Sequence, residues 1–436
     1  MSEHLSIFVA DVAPLANKGE EAILRGIEDM LRRGESDVRM AALGPEAQPT
    51  RYGNITVYPS RWVYPVMGRG FGPGRTMASL AWQCLKQRLG LSGRLGNLAG
   101  GGGRRCAEMQ EFFNEADYVI VGHDGVFGPE SCGAIHVARK LGKRVGILGA
   151  GVKRYRRLRK FIVPLYRRAV EESDFAVFRE RTAYGFMESI GCDAGKIRLA
   201  PDPAFAMVPA PAEEARALLG RWDWYGKARK QGRLLIAATV CQKGILLKRA
   251  FAGTDSPDEK RRRHAEYLAE VFDGVIARCS PFVVFLPHSI EEGDRNDLKT
   301  AQDVVAKMGA GPDSYHVIED DLPARTFKAI IRECDFLIGQ RAHSLIGSAS
   351  LARPYVALTA SNDTRTHDIL GHMCGCEEQM IDMDARSPEE ACREVVQAID
   401  RREAIGRHLE QRMADFRERL AEVAALVRGE GKRAED

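Results

Sequence analysis

Gly339-Gln-Arg341-Ala-His343-Ser344-Leu-Ile-Gly347-Ser-Ala-Ser-Leu-Ala-Arg353-Pro354-Tyr355-Val-Ala-Leu-Thr359 continues the apolar run that opens at Asp335-Phe-Leu-Ile. It reads as the end of a buried strand, a turn carrying Arg, His and Ser, a helix of small residues, and a second buried strand introduced by Pro354. In an open α/β sheet, ligands bind outside the carboxyl ends of the strands, which is where Arg341 and His343 fall. A fixed cation beside a titratable imidazole suits an anionic substrate that needs a proton moved.

Outward from this stretch the same alternation recurs. Leu5 to Ala10 is a short apolar run, and Glu20 to Leu31 places Ala22, Ile23, Ile27, Met30 and Leu31 at helical spacing. Tyr118 to Val121, Val145 to Leu148, Phe175 to Phe178 and Ile197 to Ala200 are further strands. After Pro201, Pro203, Pro209 and Pro211 break the pattern, Leu234 to Val240, Phe282 to Leu286, Tyr315 to Ile318, Phe336 to Ile338 and Tyr355 to Leu358 alternate with helices. The expected fold class is α/β, with two doubly wound Rossmann-like domains facing a cleft. The expected parts are a first domain over 1–205, a linker region over 206–232, a second domain over 233–400, and a C-terminal amphipathic helix and tail over 401–436.

With 436 residues, two domains are the default. Hydrophobic content of 44%, charged content of 28% and a net charge of +4 are those of an ordinary globular protein, and no nucleic-acid-binding motif is present. Met1 to Val12 has no secretory pattern and no apolar run is long enough to span a membrane, so a cytoplasmic location is expected. The ten cysteines lack framework spacing and read as reduced thiols.

Several clusters offer chemistry. Asn17-Lys18-Gly19-Glu20-Glu21 opens the first helix, whose N–H groups favour anions or sugar hydroxyls; plain capping by Asn17 is the alternative. His123-Asp124 follows a strand, as a turn or as part of a converging site. Arg179 follows another strand and could bind a carboxylate or phosphate, or pair with Asp202. Lys153, Arg154, Arg156, Arg157, Arg159 and Lys160 form a solvated helix face or a contact with an anionic polymer or lipid headgroup. The glycine-rich Leu91 to Arg105 reads as a flexible connection. His367, His372, Cys374 and Cys376 fit no standard zinc spacing, so no metal is expected. Dinucleotide, Walker and nucleophile-elbow fingerprints are absent.

Asn17-Lys-Gly-Glu-Glu-Ala, Arg179-Glu, Asp202-Pro, Arg341-Ala-His343-Ser and Arg353-Pro, in this order, make the chain from about Ile7 to about Asp368 resemble the polysaccharide pyruvyl transferase family. The resemblance implies a fold similar to GT-B glycosyltransferases and transfer of the pyruvyl group of phosphoenolpyruvate onto sugar hydroxyls, with no cofactor. It departs from the family pattern at Ala342, where Leu is usual, at Glu20, often Asp, at His123-Asp124, commonly a Gly-rich turn, and near Asn362 to Arg365, where only Arg365 replaces a Lys. On this reading His343 and Arg341 are catalytic. Arg179, Ser344, Arg365 and His288 bind the donor, and Asn17, Lys18, Glu20, His123 and Asp124 bind the acceptor. Asp202 is structural. The expected partners are phosphoenolpyruvate and a sugar, glycolipid or polysaccharide acceptor, with peripheral contact at the inner face of a membrane. A GT-B nucleotide-sugar glycosyltransferase and a catalytically silent sugar-binding or scaffold protein are the rival readings.

Overall fold

The computed structural model describes residues 4–12, 15–32, 38–45, 48–60, 107–122, 127–242, 253, 256–291 and 296–430. The glycine-rich stretch and His123-Asp124 lie outside them. The chain forms two compact units, one of residues 1–15, 27–203 and 419–436, the other of 16–26 and 204–418.

In the first unit, β1 (Leu5–Val12), β2 (Val38–Gly44), β3 (Thr50–Tyr52), β4 (Ile55–Pro59), β5 (Tyr118–Val121), β6 (Arg144–Ala150), β7 (Phe175–Phe178) and β8 (Ile197–Leu199) form a sheet in the order β3-β4-β2-β1-β5-β6-β7-β8. All neighbours are parallel except the hairpin β3–β4. The central strands β5 and β7 are buried along their whole length, the pattern of a parallel sheet covered on both faces. The strand order reverses between β1 and β5, where Asp11 at the end of β1 accepts from Gly122 N and, at 3.1 Å, from Ser131 Oγ. Gly122 has φ +104°, and a Cβ there would fall 2.8 Å from that of Ala150, so the turn after β5 requires glycine.

In the second unit, β9 (Leu235–Thr239), β10 (Phe282–Phe285), β11 (Tyr315–Val317), β12 (Phe336–Gly339), β13 (Tyr355–Thr359) and β14 (Met380–Asp382) are all parallel, in the order β11-β10-β9-β12-β13-β14. The chain runs outward from β9 to β11, then returns to β12 on the other side of β9. The switch point therefore lies between β9 and β12, and Arg341 and His343 follow β12 directly. The helix Pro257–Cys279 starts on Ser256, whose side chain accepts from Glu259 N, with Pro257 at its first position.

The expected linker over 206–232 is corrected. It contains the helices Ala212–Leu219 and Asp223–Lys230, and both belong to the second unit. Arg216 pairs with Glu333 at 3.1 Å and Thr326 donates to Glu214 at 2.7 Å, which fixes this segment on the helix Ala324–Glu333. The other boundaries also differ from a serial division. The helix Arg402–Arg428 contributes its residues up to Glu418 to the second unit and those from Arg419 to the first, where Arg419 donates to Leu199 O and Arg428 to Leu31 O.

Candidate active site

The site of the second unit is built on backbone ends that side chains tie together. Gln340 N donates to Thr239 O at 2.8 Å and Gln340 Oε1 accepts from Cys241 N at 2.9 Å, locking the turn after β12 to the turn after β9. Ser344 Oγ lies 2.7 Å from both Thr239 Oγ1 and Arg341 O. Ser344 is buried with its hydroxyl engaged by these groups, which fixes the first turn of the helix Ala342–Ser350.

Arg341 is likewise not an open cation. Its Nε donates to Asp297 Oδ2 at 2.9 Å and its Nη2 to Asp297 Oδ1 at 2.5 Å, a bidentate pair between two buried residues. Asp297 also accepts from Ser289 N at 3.0 Å, and its own N–H donates to Ser289 O at 2.7 Å. The guanidinium charge is thus met inside the protein. This pair ties the turn after β12, which carries Arg341 of the expected catalytic pair, to the turn after β10.

The segment Asn17 to Glu21 belongs to this unit, not to the first domain in which the sequence reading put it. Lys18 N donates to His288 O at 3.0 Å, Asn17 bridges to Ser289, and Ile290 N donates to Ala16 O at 3.4 Å, so the segment adds an edge to the loop after β10. Asn17 Oδ1 accepts from Gly19 N at 3.0 Å. Lys18 is buried and paired with Asp321. Glu21 accepts from Ala324 N at 3.0 Å, and burial raises its carboxyl above the usual range. Glu20 is half-buried in the first turn.

His343 is the half-buried imidazole at the centre of this arrangement. Its ring lies nearly parallel to that of the buried His288, at 13° and 6.4 Å between centroids, and His288 is braced edge-on by Phe327 at 5.3 Å. On another side it meets Gly19: a Cβ built there would strike His343 Nδ1 and lie 2.9 Å from Cγ. Glycine at 19 therefore leaves the imidazole its space. Arg365 is half-buried in the turn after β13, whose geometry Asp363 sets by accepting from Thr366 Oγ1 at 2.7 Å.

Elsewhere, Arg179 is fully buried in the first unit, paired with Asp202 and 3.7 Å from Glu180 Oε1. The pair with Asp202, one of the two arrangements expected of Arg179, is formed. Among the described residues no group of three His, Cys, Asp or Glu is placed for a metal. His367 lies 3.2 Å from Ala360 O, His372 faces Glu377, and burial pushes the Cys376 thiol up to about 11.

The support behind the site carries its own pH sensitivity. His264 is entirely buried, with Nε2 3.2 Å from Cys241 O, and burial pushes its imidazole down from 6.5 to about 4. The native state binds fewer protons here than the unfolded chain between those values, so stability falls as pH drops through that window, by about 3 kcal/mol in all. His264→Gln keeps a donor without the titration. Urea unfolding of both proteins across this pH range should show the slope reduced in the variant; equal slopes would remove His264 as its source.

The sequence matches the family described as polysaccharide pyruvyl transferase over residues 17–362. No curated relative matches it. Among solved structures, the trehalose 6-phosphate synthase of Burkholderia multivorans is similar at 12% identity and TM-score 0.56, over 99% of this chain and 100% of that one. S. aureus MnaA with UDP is similar at 11% and 0.52, over 98% and 97%. The UDP-GlcNAc 2-epimerase of Neisseria meningitidis bound to UDP-GlcNAc is similar at 11% and 0.50, over 98% of each chain. At such identities the likeness establishes the fold, two Rossmann-like domains of the GT-B kind.

Proposed function

We propose, from the premise that this chain belongs to the polysaccharide pyruvyl transferase family, that it moves the pyruvyl group of phosphoenolpyruvate onto hydroxyls of a sugar in a cell-surface or exopolysaccharide. The observation that carries the reading is His343, a half-buried imidazole at the switch point of a parallel sheet, held between Gly19 and His288. Ketal formation makes one C–H bond at the methylene carbon and two C–O bonds at the adjacent carbon, and breaks the bond to phosphate. Of the two hydroxyl protons, one ends on the new methyl group and the other on the released phosphate. A group titrating near neutral pH serves these steps, and His343 is assigned to them.

The donor's anionic groups are assigned to the turn carrying Arg365 and to the N-terminus of the helix Ala342–Ser350. Asn17 and Glu20 remain the acceptor-side residues of this reading.

The test is phosphate release from phosphoenolpyruvate over a panel of sugar and glycolipid acceptors, beside matched nucleotide-sugar donors. Acceptor-dependent release supports pyruvyl transfer. Silence with phosphoenolpyruvate but turnover of a nucleotide sugar would assign the chain to glycosyl transfer, and silence with every donor would favour a sugar-binding scaffold.

Gly19 gives a finer prediction. Gly19→Ala displaces the imidazole by a fraction of an ångström to an ångström, and misplacement on that scale costs up to roughly 100-fold in rate. We expect kcat to fall about 10- to 100-fold with little change in unfolding midpoint. Unchanged kcat would show that His343 tolerates displacement.

A further inference from the structure

We propose that the basic ridge formed by Lys153, Arg154, Arg157, Arg159 and Lys160 around Phe161 docks the first unit on the anionic face of a lipid bilayer. Between Ser131 and Val170 the chain has twelve Lys and Arg and not one Asp or Glu, in a protein whose net charge is only +4, so the remaining residues together are acidic. Part of this excess is used internally: Arg139 pairs with Asp174 at 3.1 Å and Arg168 with Glu172 at 2.8 Å. Lys153, Arg154, Arg157, Arg159 and Lys160 are exposed, and none has an ion pair among the described residues.

The ridge is held firmly from beneath. Ile162, Leu165, Tyr166, Ala169 and Val170 bury one face of the helix Arg159–Glu172, and Tyr166 Oη donates to Lys153 O at 2.7 Å. Lys153 N donates to Phe127 O at 3.0 Å, which ties the approach loop to the core. The cations are thus presented on an ordered backbone, so less order has to be imposed on binding.

Phe161 decides between kinds of anionic partner. It is 53% exposed, one of the few large apolar side chains so placed among the described residues, with exposed Lys160 directly before it and exposed Pro164 three positions on along the same helix. A soluble polyanion gains from the cations and little from this ring. A bilayer takes both, the cations at its headgroups and the aromatic ring at the boundary with the acyl chains.

The experiment is co-sedimentation of the full chain with phosphatidylcholine vesicles and with vesicles containing phosphatidylglycerol, at low and high salt, beside binding to heparin as a soluble polyanion. We expect association with the phosphatidylglycerol vesicles alone, weakened by salt. Arg157→Glu/Lys160→Glu should lower that partition about tenfold or more. Phe161→Ser should lower it severalfold without altering heparin binding. All three positions are exposed, and circular dichroism checks that the variants fold. No association of the parent protein with vesicles, or unchanged partition in the charge-reversed variant, would overturn the proposal. Heparin binding at least as tight as vesicle binding, with both indifferent to Phe161→Ser, would assign the ridge to a soluble polyanion and overturn it equally.

Discussion

His343→Ala is expected to lower acceptor-dependent phosphate release by about 10²- to 10⁴-fold, the range a positioned acid–base group supplies. The fold should be little affected. His343 is half-buried in the first turn of the helix Ala342–Ser350, its removal strands no buried charge, and alanine is the better helix former. Two measurements separate chemistry from collapse: the unfolding midpoint should hold, and the limb of the kcat–pH profile due to the imidazole should disappear in the residual activity. Gly19→Ala should lower kcat while keeping that limb, because it moves the imidazole without removing it. Turnover of His343→Ala within a few-fold of the parent protein would take His343 out of the mechanism.

The largest stability effect is expected at Asp297. Asp297→Ala leaves Arg341 buried without its bidentate partner, and breaking a buried pair in this way costs about 3–5 kcal/mol. Much of that cost is the stranded charge, so a double variant that also removes the guanidinium, Arg341→Met with Asp297→Leu, should be less destabilised than Asp297→Ala alone. It should still be inactive, since the turn carrying His343 loses its tie to the turn after β10. Urea midpoints for Arg341→Met, Asp297→Leu and the double variant complete the cycle. A loss below about 1 kcal/mol on Asp297→Ala would show that the pair contributes no more than an exposed one.

The strands buried on both faces were legible because their apolar runs are continuous, as in Phe175–Phe178 and Phe336–Gly339. β2 is not legible because Val-Arg-Met-Ala-Ala-Leu-Gly carries little of the β-branched signature, and β14 because Met380-Ile-Asp382 holds a single β-branched residue. The hairpin of β3 and β4 did carry a signal, Gly53-Asn54 between two short alternating runs, that went unread. At the site, the residue types after β12 fall, as expected, at the carboxyl end of a strand beside the point where the strand order reverses. Sequence could not tell which charges are already spent: Arg341 finds Asp297 44 positions away, and Lys18 finds Asp321 across more than 300. Asn296-Asp297 ahead of a helix was a visible capping signal, but its use by Arg341 depends on folding. Gly19 gave no signal of its own, because only the packed His343 makes its missing side chain matter.

The chain's interleaved course has a consequence for its synthesis. Residues 16–26 leave the ribosome long before 204–418, with which they belong, and residues 419–430 emerge after all of 204–418 yet belong with the first unit. Neither unit can be finished by simple vectorial folding, since the first waits for the segment that begins at Arg419 and the second needs a piece made long before it. Gly19 therefore stays unpaired with its imidazole until more than three hundred further residues have been added. Separate production of the halves 1–205 and 206–436 should yield two incomplete bodies, the second lacking the segment that abuts His343.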